Sequence, residues 1–202
     1  MKMNATMSLE NIKHYPVMLN KILSIISPQH GGTFIDCTFG GGGYSKAILK
    51  YPKTKVIALD RDRNVKKYAD DLSNCYPDRF SFILNKFSNL SKIVNSNIRP
   101  KAIIFDLGFS SFQIFDHKRG FSFDSRTSLN MGMGINSCTA YDVVNRLDKK
   151  ELSTIIKFLG DEKEANKIVD KIIKSRMKSQ ISSSYDLSIL IKSAKKTKNF
   201  KI

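Results

Sequence analysis

The chain has 202 residues, 41% hydrophobic and 10% aromatic, which is enough for one large domain or for one domain with a small second one. Its 34 Lys and Arg against 18 Asp and Glu give a formal net charge of +16. No apolar run is long enough to span a membrane, and no signal peptide is visible. The three cysteines (Cys37, Cys75 and Cys138) are too far apart for a zinc knuckle and suit a reducing compartment. We therefore expect a cytoplasmic protein without a metal site and without a membrane partner.

Short apolar segments alternate with helical patterns in the first half of the chain. After a helix at Val17–Ile26, helices at Tyr44–Lys50 and Asn64–Leu72 separate some of the predicted strands, which are Thr33–Thr38, Lys55–Asp60, Phe80–Leu84 and Ala102–Leu107. This alternation is typical of parallel βαβ units whose sheet is covered on both faces. It predicts an α/β fold with a Rossmann-like sheet of about four strands.

The pattern changes after Gly108. Residues 109–136 have no period and are rich in Phe, Gly and Ser, which predicts a long functional loop. From Thr139 onward the sequence is helical, with possible capping boxes that begin at Thr139, Asp148 and Asp161, and a last helix near Ser184. We therefore divide the chain into an α/β domain at 1–108, an active-site loop at 109–136 and an all-helical domain at 137–202.

A glycine cluster joins the first predicted strand to the helix that follows it. Glycines there let the backbone approach a ligand closely, and the helix start offers unpaired N–H groups. The dinucleotide pattern GxGxxG would need a glycine where this chain has Ser45. An acid four residues before the first glycine, Asp36 before Gly40, is instead typical of methyltransferases. The cluster by itself would also suit a plain turn.

Asp60 ends the second predicted strand, 18 residues after Gly42, where a carboxylate can accept from both ribose hydroxyls. Asp60 would otherwise cap the next turn, and Asp62 competes for the ribose role. The loop and this acid together favour an adenosine-containing cofactor. Phe87, just past the third strand, lies where an apolar side chain would flank adenine, although it suits a core position equally well.

The segment Asp106-Leu-Gly-Phe109 lies where the chain leaves the fourth predicted strand. A hydrogen-bond acceptor followed by an aromatic ring suits methyl transfer to an exocyclic base amine. The acceptor localises the nitrogen lone pair, the ring holds the base, and alignment of the amine with the S-methyl group supplies much of the remaining rate enhancement. The alternative is that Asp106 only orders its loop.

Six motifs occur in order along the chain and together resemble the MraW family of bacterial small-subunit (16S) ribosomal RNA cytosine-N4 methyltransferases. They are His14-Tyr-Pro-Val-Met18, Asp36-Cys-Thr-Phe-Gly-Gly-Gly-Gly-Tyr-Ser45, Ala58-Leu-Asp-Arg-Asp62, Asp106-Leu-Gly-Phe-Ser-Ser-Phe-Gln113, Arg119-Gly-Phe-Ser-Phe123 and Leu129-Asn-Met-Gly-Met133. The resemblance runs from His14 to the last residue. It implies a class I S-adenosylmethionine-dependent fold with an inserted helical substrate-recognition domain.

The resemblance also implies an activity, methyl transfer from S-adenosyl-L-methionine to the N4 amine of a cytidine, and a partner, small ribosomal subunit RNA. Asp106 would be the catalytic residue. The cofactor contacts carried over by motif position are Gly42, Gly43, Tyr44, Asp60, Phe87, Asp106 and Gln113. The net charge agrees with an RNA partner, as do the 15 basic against 7 acidic residues from Arg146 to Ile202, although compositional drift would also produce a lysine excess.

The sequence departs from the family pattern in two ways. Asn130 and Gly132 stand where the family has Asp and Arg, so two charges are lost together. The family also continues beyond Ile202 into the remaining strands, so the chain resembles the N-terminal two-thirds of the enzyme: a fragment, half of a split gene or a degenerate copy. We therefore expect an exposed edge on the fourth strand, with self-association or a complementing C-terminal chain.

Two other functions stay open at this point. A catalytically weak or inactive homologue would retain cofactor or RNA binding, and the missing strands and Gly132 favour it. A nicotinamide dehydrogenase is disfavoured by Ser45, and the sequence near the fourth strand offers no obvious proton donor.

Overall fold

The computed structural model describes residues 16–95, 97–136 and 138–195, so His14 and Tyr15 of the first motif lie outside the described residues. The chain folds into two compact units. The α/β unit comprises Met1–Ser111 together with Met133–Ile135, and the helical unit comprises Phe112–Gly132 and Asn136–Ile202. No helix in the described ranges is long and apolar enough to cross a membrane.

The α/β unit is built on a four-stranded parallel sheet in the order β3-β2-β1-β4. The strands are β1 (Gly32–Asp36), β2 (Thr54–Asp60), β3 (Phe80–Leu84) and β4 (Ala102–Ile104). Parallel pairing aligns their carboxyl ends, so that Asp36 lies opposite both Ala58 and Ile104. The predicted α/β, Rossmann-like fold class is confirmed.

Both faces of the sheet carry apolar side chains, as the near-continuous hydrophobic strands predict. One face forms the larger core, in which Phe34, Val56 and Ile104 are buried together with the helices α1 (Leu19–Ile26), α2 (Gly43–Leu49) and α3 (Lys66–Cys75). The other face buries Ile35, Cys37 and Leu59 against the short helix α4 (Leu90–Ile93). This two-sided packing fixes the strand ends that carry the candidate site.

Strand β4 is shorter than the predicted Ala102–Leu107. The last backbone hydrogen bond between β4 and the chain at the end of β1 runs from the N–H of Cys37 to the carbonyl of Ile104, at 2.9 Å. Beyond that point the chain after β1 turns into the glycine loop, and the N–H of Asp106 donates to Oγ1 of Thr38 at 2.8 Å. The strand ends early because a side chain replaces the neighbouring backbone as its partner.

The helical unit contains α5 (Ser111–Phe115, beginning at the unit boundary), α6 (Ala140–Arg146), α7 (Lys149–Phe158), α8 (Ala165–Arg176) and α9 (Ser184–Ala194). Leu152, Ile168, Val169 and Ile172 are buried at its core. Thr139 and Asp148 form the predicted capping boxes, and Ser183 caps α9. The third predicted box is wrong: Asp161 has a left-handed backbone, Glu164 takes the N-cap position of α8, and the N–H of Glu164 donates to Oε1 of Glu162 instead of to Asp161.

Part of the predicted loop 109–136 is ordered by the Arg119-Gly120 motif. The guanidinium of Arg119 donates to the carbonyl of Gly132 at 3.0 Å, and its backbone carbonyl accepts from Met131 at 2.8 Å. Gly120 has a φ of 74°, and a Cβ there would lie 2.6 Å from the carbonyl of Ser128. The motif therefore has a structural role within the helical unit.

Candidate cofactor-binding site

The carboxyl ends of β2, β1 and β4 are adjacent in the sheet, and each is followed by a polar segment singled out in the sequence. Asp60 ends β2, the glycine loop leaves β1, and Asp106 follows β4. The chain runs from β1 outwards to β2 and β3 and then crosses back to place β4 on the other side of β1, so the strand order reverses next to β1. Ligands of open α/β sheets bind in the crevice at such a point.

The glycine loop is a tight turn that packs against its own surroundings. The N–H of Gly42 donates to the carbonyl of Phe39 at 2.7 Å, and Gly42 has a φ of 77°. A Cβ on Gly42 would lie 2.9 Å from the Phe39 ring, and a Cβ on Gly43 would lie 2.2 Å from Cγ of Pro16. At Gly40, by contrast, the nearest described atom to a Cβ would be the Thr38 carbonyl oxygen, at 3.9 Å, so the described part of the chain leaves this side of the loop open.

Asp60 is held beside that open part of the loop. Its Oδ2 accepts from the N–H of Gly40 and its Oδ1 accepts from the N–H of Asp62, both at 2.8 Å. Burial raises the pKa of the Asp60 carboxyl, although the backbone bonds from Gly40 and Asp62 act in the opposite direction. A carboxylate has about four lone-pair sites, more than the backbone N–H groups of Gly40, Asp62 and Arg61 occupy, which leaves acceptor capacity for a ribose hydroxyl.

Asp62, the competing acid, is differently placed. Its carboxylate accepts from the N–H of Asn64 at 3.1 Å and caps the 3-10 turn Arg63–Val65. Its side chain is buried, whereas Asp60 remains partly exposed. The structure therefore favours Asp60 over Asp62 as the acid available to a ligand.

Asp36 lies fully buried beneath the loop. Its Oδ2 accepts from the Ser45 hydroxyl at 2.7 Å and its Oδ1 accepts from the N–H of Thr38 at 3.3 Å. Burial raises the pKa of Asp36 to about 6; the bonds from Ser45 and Thr38 oppose that rise, and the charge of Asp60 adds to it. Asp36 therefore orders the loop from within, and it has no exposed surface to offer a ligand.

Tyr44, one of the predicted cofactor contacts, has its side chain buried inside the α/β unit. The ring is buried in the larger core of the α/β unit, and its hydroxyl donates to the carbonyl of Val17. Burial raises the pKa of this phenol, and the charges of Asp106 and Asp36 raise it further. The part of Tyr44 suited to a ligand is thus its backbone at the start of α2.

Asp106 is partly exposed at the end of β4, with its N–H fixed by Thr38. Phe105, which precedes Asp106, packs edge to face against the ring of Phe87. The two ring centroids are 5.4 Å apart, and both side chains are partly exposed. Phe109 is also exposed. Gly108, which lies between Asp106 and Phe109, has a φ of 145°, and no described atom lies within 4 Å of a Cβ placed there. The segment after β4 thus offers a carboxylate and aromatic faces to a ligand.

Six of the seven candidate cofactor residues, Gly42, Gly43, Tyr44, Asp60, Phe87 and Asp106, belong to segments at or just beyond the carboxyl ends of β1 to β4. The seventh, Gln113, is buried in α5 and belongs to the helical unit. Its role as a cofactor contact stays a prediction.

The chain matches the MraW methylase family over residues 11–201. That match spans nearly the whole chain, including every segment of the site. The chain belongs to the MraW methylase family. The family resemblance predicted from the six motifs is confirmed.

Relatives of this MraW-family chain carry the name ribosomal RNA small subunit methyltransferase H. One from Wolbachia sp. subsp. Drosophila simulans (strain wRi) is 42% identical over 183 residues, which cover 89% of this chain and 62% of the relative. Others from Ehrlichia ruminantium (strain Welgevonden) and Anaplasma marginale (strain Florida) are 38% and 39% identical, covering 94% and 90% of this chain and 64% and 63% of the relatives. The chain thus spans less than two thirds of the length of these curated relatives.

Sequence reasoning missed several residues that hold the site together in this MraW-family chain. Thr38 accepts from Asp106, Ser45 donates to Asp36, and the N–H of Gly40 orients Asp60. Ser45 alone gave a signal, because it stands where the dinucleotide pattern has glycine. The other contacts join positions far apart in the chain or use backbone groups that every residue has.

Proposed function

We propose that this chain binds S-adenosyl-L-methionine and transfers its methyl group to the N4 amine of a cytidine in small-subunit (16S) ribosomal RNA. The observation that carries the proposal is Asp60, a partly exposed carboxylate whose two oxygens are oriented by the N–H groups of Gly40 and Asp62. Methyltransferases of this class use S-adenosylmethionine generally, and the names of the relatives specify ribosomal RNA of the small subunit.

The residues present fit the adenosine part of this cofactor. Asp60 offers two acceptors to a vicinal diol, and the open side of Gly40 leaves room for a ligand beside them. Phe87 lies just beyond β3 with a partly exposed ring, which suits the face of a purine. Gly42 and Gly43 keep the loop tight, so that its backbone, including that of Tyr44, approaches the ligand.

Asp106 is proposed to act on the base. When bound, S-adenosylmethionine supplies an electrophilic methyl group on a positively charged sulfur. Asp106 accepts a hydrogen bond from the exocyclic amine, which localises the nitrogen lone pair and orients it. Thr38 holds the backbone of Asp106, and the exposed ring of Phe109 offers a face for the base to stack on.

The helical unit is proposed to bind the RNA backbone. Lys171, Lys174 and Lys178 are exposed and spaced at i, i+3 and i+7, which places them along one side of α8 and its C-terminal turn. Their neighbour Lys167 is engaged with Glu164, and Lys149 is engaged with Asp170. A line of exposed cations suits phosphates, and ribosomal RNA as a partner implies a cytoplasmic location.

A second candidate is an inactive or weakly active homologue that retains cofactor or RNA binding. It is favoured by Asn130 and Gly132, which replace two charged residues of the family pattern. Asn130 keeps a local role, since its Oδ1 accepts from the N–H of Gly132 at 2.8 Å. Membership of a methylase family disfavours the third alternative, a nicotinamide dehydrogenase.

Two assays separate these functions. Calorimetric titration with S-adenosylmethionine and, separately, with NAD tests the cofactor, and we expect binding of the first only. Methyl transfer to small ribosomal subunits that lack the modification, followed by nucleoside analysis, tests the reaction and the cytidine N4 position. Binding of S-adenosylmethionine without transfer would support the inactive homologue, and binding of NAD alone would refute the proposed methyltransferase.

A further inference from the structure

A short segment of the chain returns to the α/β unit from far along the sequence and joins the turn that follows Asp60. Met133–Ile135 belongs to this unit although its neighbours on both sides belong to the helical unit. The N–H of Ile135 donates to the carbonyl of Arg61 at 2.9 Å, and Nη2 of Arg61 donates to the carbonyl of Ile135 at 3.1 Å. We call Met133–Ile135 the returning segment.

Two hydrogen bonds meet at the peptide group between Arg61 and Asp62. The carbonyl of Arg61, which accepts from Ile135, and the N–H of Asp62, which donates to Oδ1 of Asp60 at 2.8 Å, are the two ends of one planar unit. Fixing one end therefore fixes the direction of the other. Hydrogen bonds in such a chain also polarise one another, so the bond from Ile135 strengthens the bond to Asp60.

Gly134 makes this contact sterically possible. A Cβ at this position would lie 2.0 Å from the Arg61 oxygen, 2.5 Å from its carbonyl carbon and 2.8 Å from Cα of Asp62. All three atoms belong to the 61–62 peptide group or adjoin it. Gly134 also has a φ of 109°, which side-chain-bearing residues rarely adopt. Any larger residue would push against the peptide group that orients Asp60.

We propose that Gly134 is a positioning residue for the cofactor carboxylate: it lets the returning segment lock the Arg61–Asp62 peptide group, which in turn holds Asp60 towards the ribose hydroxyls. This inference rests on the proposed S-adenosylmethionine site. It goes further by assigning a positioning role to a segment far from Asp60 in sequence, since Arg61 and Ile135 are 74 residues apart. The returning segment acts on the ligand only through Asp60.

The test is a double-mutant cycle read by calorimetric binding of S-adenosylhomocysteine. Four proteins are compared: the unchanged chain, Gly134→Ala, Asp60→Asn and the double variant. Gly134→Ala should weaken binding about tenfold in the unchanged background, the scale of one hydrogen bond to a charged group. In the Asp60→Asn background the same substitution should change affinity less than about twofold, because residues that act through one another are not additive.

Two further variants guard against a general loss of stability. Gly31→Ala is the matched control, since Gly31 also has a positive φ and a Cβ there would lie 2.8 Å from the Lys53 carbonyl, but it precedes β1 at the opposite end of the sheet. It should lower the thermal unfolding midpoint and leave binding unchanged. Arg61→Met keeps the side-chain stem and removes the bond from Nη2 to Ile135 together with the positive charge; it should weaken binding about threefold, again only when Asp60 is present.

The outcomes are distinct. A tenfold loss that persists in the Asp60→Asn background would overturn the inference, and so would unchanged affinity in folded Gly134→Ala. If Gly134→Ala does not fold, the Arg61→Met cycle decides in the same way. Failure of the unchanged chain to bind S-adenosylhomocysteine would refute the proposed site itself. If the chain binds but the effects of the two substitutions are additive, the role of Gly134 is refuted and the proposed site stands.

Discussion

The hydroxyl of Ser45 donates a 2.7 Å hydrogen bond to Oδ2 of Asp36, which joins the first turn of α2 to the carboxyl end of β1 across the glycine loop. Both residues are fully buried. A buried carboxylate needs such partners, because leaving it unpaired would be strongly unfavourable. The pair therefore fixes the geometry of the loop from inside the protein. It also makes the loop sensitive to protonation of Asp36.

Asp36→Asn should change how stability depends on pH. The pKa of Asp36 rises from 3.8 to about 6 on folding, so the folded state holds the proton more tightly. The resulting stabilisation is fully present below about pH 4 and is lost as the pH rises through 6, a change on the order of 3 kcal/mol at 1.4 kcal/mol per pKa unit. Urea unfolding from pH 4 to pH 7 should show this decline in the unchanged protein, and the decline should be smaller by that amount in Asp36→Asn, where the raised pKa of Asp60 still contributes.

Ser45→Ala provides the matched comparison for Asp36. It removes a bond that lowers the pKa of Asp36, so the decline in stability should extend to higher pH than in the unchanged protein. Parallel stability curves for the unchanged protein and Asp36→Asn over this range would contradict the assignment.

Asp60→Ala should weaken S-adenosylmethionine binding by about 1.5–3 kcal/mol, the scale of charge-assisted hydrogen bonds lost to the ribose. Calorimetry measures the change. Asp70→Ala is the control, because Asp70 forms an exposed ion pair with Lys66 on α3, away from the glycine loop in sequence, and it should bind normally. Unchanged affinity in Asp60→Ala would move the ribose site elsewhere.

Asp106→Ala should reduce turnover more than cofactor binding if its carboxylate orients the base amine. Removing one general acid–base or orienting group lowers the rate by roughly 100-fold or more. Single-turnover methyl transfer to small ribosomal subunits gives the rate, and calorimetry gives the affinity of the same variant for S-adenosylmethionine. Equal losses in both would assign Asp106 to cofactor binding alone.

Local patterns predicted much of the fold. The strand Phe80–Leu84 was predicted with the bounds it has, because its apolar run lies between turn residues. The caps at Thr139 and Asp148 were also predicted, since a capping box depends on residues only three apart. Asp161 failed as a cap because its backbone turns left-handed in the bend before α8, which the local pattern does not reveal.

Residues of the site were predictable from the sequence only where the type and position of a single residue were informative by themselves. Asp60 and Asp106 were found because each is an acid at the end of a predicted strand. The partners that orient them, Gly40 and Thr38, lie 20 and 68 residues away along the chain and contribute a backbone N–H and a hydroxyl. Such pairings depend on strand order, which follows from the packing of the whole sheet.

Reversing Lys171, Lys174 and Lys178 to Glu should weaken RNA binding and reduce its salt dependence. If these lysines contact phosphates, the slope of log affinity against log salt should become shallower by about 2 or more. Filter binding to small-subunit ribosomal RNA at several salt concentrations gives the slope. The matched control reverses the exposed Lys50, Lys53 and Lys55 of the α/β unit and should change the slope less. Equal slopes in the two variants would make the effect one of net charge alone.

The last prediction concerns the free side of β4. Within residues 16–95, 97–136 and 138–195, β4 pairs with β1 alone, and Ile103 and Phe105 are 44% and 48% exposed. An unpaired edge with exposed apolar side chains promotes strand-to-strand association, and a lysine on the edge opposes it. The unchanged chain should therefore self-associate in light scattering, and Ile103→Lys should be largely monomeric. Ile25→Lys, at an exposed position of α1, should still self-associate. A monomeric unchanged chain at all concentrations would show that the edge is covered by other means.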